Sequence, residues 1–152
     1  MNYSIKKVST TSDDVKVLSD ELHKELEQYY GEGIIEDFIE ENQQMLIFYA
    51  VYNDSGKAAA CGALKHFDDV TAEIKRMYVK PEFRRRGISK QILVRLEEHA
   101  KELGYKRIVL ETGLKQPEAM SLYSKFGYKS LECYGRHSDD PESRCFEKRI
   151  NQ

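Results

Sequence analysis

Residues 3–8 alternate apolar and polar side chains, the period of a strand with one buried face. The spacing then changes. Val15, Leu18, Leu22 and Leu26 recur at three- and four-residue intervals, which predicts an amphipathic helix, and Ser12-Asp13-Asp14 supplies its N-cap and two first-turn acids. Gly31 and Gly33 end that helix, and residues 34–41 predict a second, short one. Residues 45–52 form a continuous apolar and aromatic run of the length of a buried strand, and the turn Asn53-Asp54-Ser55-Gly56 brings the chain back as its hairpin partner over 57–67. Asp68-Asp69 turns the chain again, into a strand over 71–79 that Pro81 stops. Helical spacing resumes at Ile88, Ile92, Leu96, Ala100 and Leu103, with Gly104 as the C-terminal cap. A strand over 107–112, a helix starting at Pro117 and ending at Gly127, and closing strands over 128–134 and 144–150 complete the pattern. The order β-α-α-β-β-β-α-β-α-β-β predicts an α/β protein of the α+β type. Its sheet is mixed and mostly antiparallel, it has about four helices, and residues 1–152 form a single domain.

Composition narrows the class. Hydrophobic residues make up 40% of the chain and charged residues 33%, which suits a packed globular protein and excludes an intrinsically disordered one. No apolar run approaches the roughly 20 residues that span a bilayer, and the first seven residues have no apolar signal core behind them, so no membrane partner and a cytoplasmic location are expected. Cys61, Cys133 and Cys145 are odd in number, far apart and without a CxxC pair; neither a disulfide nor a metal site is expected from them.

The net charge is -2, so no bulk field favours nucleic acid. The charge is unevenly placed, however. Residues 13–41 hold eleven acids and two lysines, a net of -9, and residues 75–107 hold eleven Lys or Arg and four Glu, a net of +7. Such blocks are either solvated helix faces or a basic site for an anionic ligand beside an acidic entrance for a cationic one.

The basic block contains the most informative stretch, Tyr78-Val79-Lys80-Pro81-Glu82-Phe83-Arg84-Arg85-Arg86-Gly87-Ile88-Ser89-Lys90. A strand ends, the chain turns, and a helix starts at Gly87 or Ile88. The first N–H groups of a helix lack internal acceptors and carry partial positive charge, so they form a ready anion site. Gly87 lets the backbone approach a phosphate, with three arginines around it. The P-loop pattern GxxxxGK[ST] is absent.

Arg84-x-x-Gly87-x-Ser89 resembles the acetyl-CoA motif [Q/R]-x-x-G-x-[G/A] of the GNAT superfamily of N-acetyltransferases, with Ser89 at the place where Gly or Ala is usual. Residues 116–128 resemble that superfamily's second signature, N-x-x-A-x-x-x-Y followed by GF or GY, with Gln116 in place of Asn, then Ala119, Tyr123, Gly127 and Tyr128. The two matches lie in the right order and cover residues 73–128; the first 70 residues share only the element order. The resemblance implies a GNAT-like sheet splayed at the cofactor strand. Backbone groups of Met77, Tyr78 and Val79 would pair with the pantetheine arm of acetyl-CoA. Arg84, Arg85, Arg86, Gly87, Ile88, Ser89 and Lys90 would hold the pyrophosphate, and Gln116 would take the second signature's cofactor contact. The last two strands would form a hairpin that shapes the acceptor pocket or joins a dimer interface, so a homodimer is one expectation.

The chemistry can be argued separately. An alkyl ammonium with a pKa near 10.4 loses its proton at pH 7 at a cost of about 4.6 kcal/mol, from about 3.4 units at 1.36 kcal/mol each. A positioned base is therefore useful, as is an acid for the departing thiolate. Glu73 lies four residues before Met77, the spacing at which family members that use a strand glutamate carry their base. The other reading of Glu73 is an exposed or ion-paired residue with Lys75 or Arg76 as partner. Tyr123 matches the family tyrosine whose hydroxyl can protonate the sulfur; otherwise it packs a helix on the sheet. Residues 29–31 and 134–137 are loop candidates for the acceptor pocket. Cys61 and His66, five residues apart on one strand, would face opposite ways and make a poor nucleophile pair.

The expected function is acetyl transfer from acetyl-CoA to a small-molecule or peptide amine, with Glu73 and Tyr123 catalytic and no metal. The alternatives are a non-catalytic acyl-CoA-binding module of the same fold and a nucleic-acid binder. A single arginine triplet in a chain of net charge -2 argues against the nucleic-acid reading.

Overall fold

The computed structural model describes residues 2–31 and 38–150; Gly33 and the predicted helical residues 34–37 lie outside them. The described elements are β1 (Ser4–Val8), α1 (Asp13–Tyr30), α2 (Phe38–Asn42), β2 (Ile47–Tyr52), β3 (Ala58–Asp68), β4 (Thr71–Val79), α3 (Ile88–Glu102), β5 (Arg107–Gly113), α4 (Pro117–Lys125), β6 (Lys129–Leu131) and β7 (Ser143–Arg149). Single 3-10 turns lie at Pro81–Phe83 and Gly135–His137. The strands form one mixed sheet in the order β1-β2-β3-β4-β5-β7-β6. β1 pairs antiparallel with β2, β2 with β3, and β7 with both β5 and β6, whereas β4 and β5 run parallel. The β4–β5 register runs from Thr71↔Arg107 to Ile74↔Leu110, while β4 itself continues to Val79.

The chain packs as two compact units. The first comprises Met1–Lys65 and Lys75–Leu96. Its α1 begins as expected, with the Ser12 hydroxyl accepting the Val15 N–H at 3.3 Å, and ends at Gly31, whose φ of 86° suits glycine. Val15, Leu18 and Leu22 of α1 pack with Met45, Phe48, Cys61, Ala63 and Tyr78; burying each of these α1 side chains contributes roughly 1.5–3 kcal/mol. Along α3, Ile92 and Leu96 are fully buried. Gly62 of β3 sits so close beneath them that a Cβ there would stand 2.5 Å from Ile92 Cγ2 and 2.8 Å from Met77 Sδ.

The second unit comprises His66–Ile74 and Glu97–Gln152. Ile108, Val109 and Leu110 of β5 form its floor, with Tyr123, Tyr128 and Phe146 buried in the same unit. Glu97 accepts hydrogen bonds from Tyr128 at 2.8 Å and Lys148 at 2.9 Å, so α3 is tied to β7 and to the residue before β6.

Here the structure corrects one expectation. Cys133 and Cys145 are disulfide-bonded. They are 12 residues apart in sequence, but the β6–β7 hairpin aligns Leu131 with Cys145 and brings the two Cα atoms to 5.1 Å, within disulfide range. Cys61 is free and buried.

Candidate functional site

In the first unit, β4 carries an irregularity that the sequence does not announce. Arg76 has φ 61° in mid-strand, a left-handed conformation that costs a non-glycine residue on the order of 1–3 kcal/mol. A buried polar network holds it. Arg76 Nε donates to Asn42 Oδ1 at 2.9 Å, Asn42 Nδ2 donates to Ser19 Oγ at 2.9 Å, and the guanidinium lies 3.5 Å from Glu41. The Arg76 carbonyl accepts the Cys61 thiol at 3.2 Å. Burial pushes that thiol up to about 12, so Cys61 is inert near neutral pH. Lys75 also lies against Glu41, at 3.5 Å.

Beyond this kink come the expected cofactor residues. Tyr78 and Val79 are buried and Met77 half-buried. Burial, reinforced by Glu21 and Glu25, pushes the Tyr78 phenol up to about 12. Lys80 N–H returns to Ala59 O at 2.9 Å, and Pro81 opens the 3-10 turn. Arg84 then fastens the turn. Its Nε donates to Val79 O at 2.8 Å, its terminal nitrogen donates to Glu25 of α1 at 2.6 Å, and its guanidinium lies over the Tyr78 ring at 5.7 Å. Arg84 thus shapes the turn from behind, a role the motif did not reveal. Arg85 and Arg86 are exposed, with Arg86 reaching Tyr3 Oη at 3.2 Å. Arg85 and Gly87 have φ of 65° and 76°, an alternation of the kind that turns backbone N–H groups toward one side. The space where a Gly87 side chain would project is open to 4 Å. The first intrahelical bond of α3 runs from Gln91 N–H to Gly87 O, so helix geometry gives the N–H groups of Ile88 and Ser89 no acceptor within the helix.

The two charge blocks meet in this unit. Glu25 holds Arg84, Glu21 lies 3.7 Å from Lys80, and Glu41 faces Lys65, Lys75 and Arg76. These acids answer the basic strand and turn.

In the second unit, Glu73 on β4 is paired with Val109 of β5 and is only 7% exposed. Its Oε2 accepts a hydrogen bond from the Tyr134 hydroxyl at 3.1 Å. The Tyr134 ring packs edge-on against Phe67 at 5.0 Å and His137 at 6.1 Å. Glu111 of β5 accepts from Ser143 Oγ at 2.9 Å and lies 3.8 Å from His137 Nδ1. Tyr123 of α4 is buried against Tyr128 and Phe146, with centroids at 5.7 and 6.1 Å. Burial, then the nearby Glu111 charge, raises its pKa, so the hydroxyl keeps its proton throughout the neutral range. The Gln116 side-chain oxygen accepts the Gly113 N–H at 3.1 Å and closes the turn into α4. His66 is bonded to the Tyr105 hydroxyl at 2.6 Å. Sequence reasoning placed Tyr134 at the end of a strand and among the acceptor-pocket candidates but gave it no link to Glu73, because the two are 61 residues apart. No cluster of three or more His, Cys, Asp or Glu suited to a metal occurs among the described residues. No described helix is long and apolar enough to cross a membrane.

Comparison with known proteins follows the same elements. A sequence model of the acetyltransferase (GNAT) family matches residues 12–128. The uncharacterized N-acetyltransferase YsnE of Bacillus subtilis is 35% identical over 99 residues, 64% of this chain and 66% of its own length. The IAA acetyltransferase of Azospirillum brasilense is 34% identical over 103 residues, 67% of each chain. In fold, the crystal structure of PaiA N-acetyltransferase from Thermoplasma acidophilum, a complex with coenzyme A, aligns with a TM-score of 0.73 at 23% identity, covering 98% of this chain and 99% of that one. The match to the family over most of the chain, on the strand, turn and helices just described, shows that the protein belongs to the GNAT family of acetyltransferases.

Proposed function

We propose that residues 1–152 act as a single N-acetyltransferase domain that moves an acetyl group from acetyl-CoA to a primary amine by direct attack. The observation that carries this reading is the turn before α3, where Arg85 and Gly87 take positive φ ahead of the helix's first N–H groups. The residues fit a CoA pyrophosphate. The space a Gly87 side chain would fill is open, α3 offers N–H donors, and Arg85, Arg86 and Lys90 supply positive charge. Ser89 adds a small hydroxyl in the same first turn. Backbone groups of Met77, Tyr78 and Val79 are proposed to pair with the pantetheine arm and Gln116 to take the second signature's cofactor contact, with Arg84 both bracing the turn and joining the pyrophosphate set.

Bound acetyl-CoA supplies an acetyl group activated as a thioester. Glu73 accepts the proton of the incoming ammonium, directly or through a water, and Tyr123 gives its proton to the departing sulfur. A carbon–nitrogen bond forms as the carbon–sulfur bond breaks. The acceptor is a small-molecule or peptide amine, and a cytoplasmic setting is part of the reading.

Thiol release from acetyl-CoA, followed across a panel of polyamines, aminoglycosides, amino acids and peptides, tests the proposal. Amine-dependent release with one class is the expected outcome. Tight CoA binding without release for any amine would instead favour the non-catalytic binding module.

A further inference from the structure

We propose that Tyr134 is a positioning residue for acetyl transfer, holding the Glu73 carboxylate in the orientation in which it accepts the amine proton; this rests on the reading of Glu73 as the base. Glu73 is nearly fully buried, and a buried carboxylate needs hydrogen-bond partners to remain charged. The Tyr134 hydroxyl provides one at 3.1 Å and leaves the remaining carboxylate lone pairs for the amine.

The placement of Tyr134 is determined from several sides. Phe67 and His137 fix the ring plane. The residue before it, Cys133, is bonded to Cys145 of β7, which pairs in register with Glu111 of β5. The residues after it form the Gly135–His137 turn, whose last N–H returns to Tyr134 O at 3.0 Å. A phenol on a pinned backbone with a pinned ring holds its partner in one place, and general-base chemistry rewards such positioning.

The charged groups acting on this hydroxyl besides Glu73 are Glu111 and Arg107 of β5, with His137 against Glu111 on the adjoining turn. Burial, followed by the Glu73 and Glu111 charges, raises the Tyr134 pKa, so the phenol stays a donor across the working range. A hydrogen bond to a carboxylate favours its ionised form, so removing the bond makes the carboxylate hold its proton to higher pH.

The test measures kcat/KM against pH, with an amine that the enzyme acetylates, in four proteins: wild type, Tyr134→Phe, Glu73→Gln and the double variant. In Tyr134→Phe the lower-pH break should move up by about one unit, so that kcat/KM falls about tenfold at a pH below the break. Glu73→Gln should lower kcat/KM roughly 10²-fold at neutral pH, and adding Tyr134→Phe to it should cost nothing more, because the hydroxyl acts through the missing carboxylate. An unmoved break in Tyr134→Phe, or its full loss repeated in the Glu73→Gln background, overturns the proposal. A Glu73→Gln enzyme with the wild-type profile is a separate outcome and sinks the base reading itself. If Tyr134→Phe does not fold, Cys133→Ser serves, since it frees the neighbouring backbone but keeps the hydroxyl. The break then moves in the same direction, or the proposal fails.

Discussion

Tyr123 is a core residue that the proposed mechanism also uses as a reagent. Its ring is clamped between Tyr128 and Phe146, and its hydroxyl is kept protonated by burial and by the Glu111 charge. The same shift makes the phenol a weak acid toward a thiolate, so in the proposed role the proton moves to the sulfur only in concert with carbon–sulfur cleavage. Tyr123→Phe keeps the packing and removes the proton. Acetyl-CoA affinity should therefore stay within about twofold while kcat falls roughly 10²-fold, since the group matters chiefly in the transition state. Unchanged kcat, with chemistry shown to limit turnover, would reduce Tyr123 to a packing residue. Arg84 teaches the converse lesson. The motif marks it as a cofactor ligand, and in the structure it also braces the turn through Val79 O and Glu25.

The elements themselves were largely legible in the hydrophobic pattern, because period and caps are local properties. β4 begins and ends at the expected Thr71 and Val79, and α4 starts at Pro117 as expected. The last strands are less so. A strand was expected over 128–134, but β6 spans only Lys129–Leu131, because the chain leaves the ladder for Cys133 to reach Cys145. What could not be read locally was tertiary: the left-handed Arg76, its Asn42 and Ser19 anchors, the disulfide, and the Tyr134–Glu73 bond. Each joins residues that no short-range rule connects. The cofactor turn lies between these cases. Its motif was visible, and the positive φ of Gly87 supplies the reason for the glycine. Gly87→Val meets two obstacles there. A β-branched residue resists φ near 76°, at about 1–2 kcal/mol, and its methyls enter the open space proposed for phosphate. CoA should bind at least tenfold more weakly to a variant whose circular dichroism is unchanged. Equal affinity would move the phosphate site elsewhere.

At the scale of the whole molecule, the net charge of -2 conceals blocks of -9 and +7, and Glu21, Glu25 and Glu41 of the acidic block lie against Lys75, Arg76, Lys80 and Arg84 of the basic one. An anionic ligand at the turn enters a field that α1 has already partly balanced, so its binding depends on backbone donors as much as on the arginines. Because only the folded chain presents those donors, acetyl-CoA should raise Tm. A concentration a hundredfold above Kd stabilises by about 2.7 kcal/mol, which for a chain of this size is about 5–10 °C by differential scanning fluorimetry. A Tm indifferent to acetyl-CoA would contradict the cofactor reading. Gly62 sets a different kind of limit, one on evolvability. The methyl of an alanine there would meet Ile92, near the start of the helix that carries the anion turn, and Met77, on the strand proposed to hold the pantetheine arm. Two parts of the proposed cofactor site thus close in on the place of one absent side chain. Libraries that seek new acceptors can vary exposed loop positions away from Tyr134 and its supports, but position 62 has a close-packed surround, and adaptive paths through this scaffold must go around it.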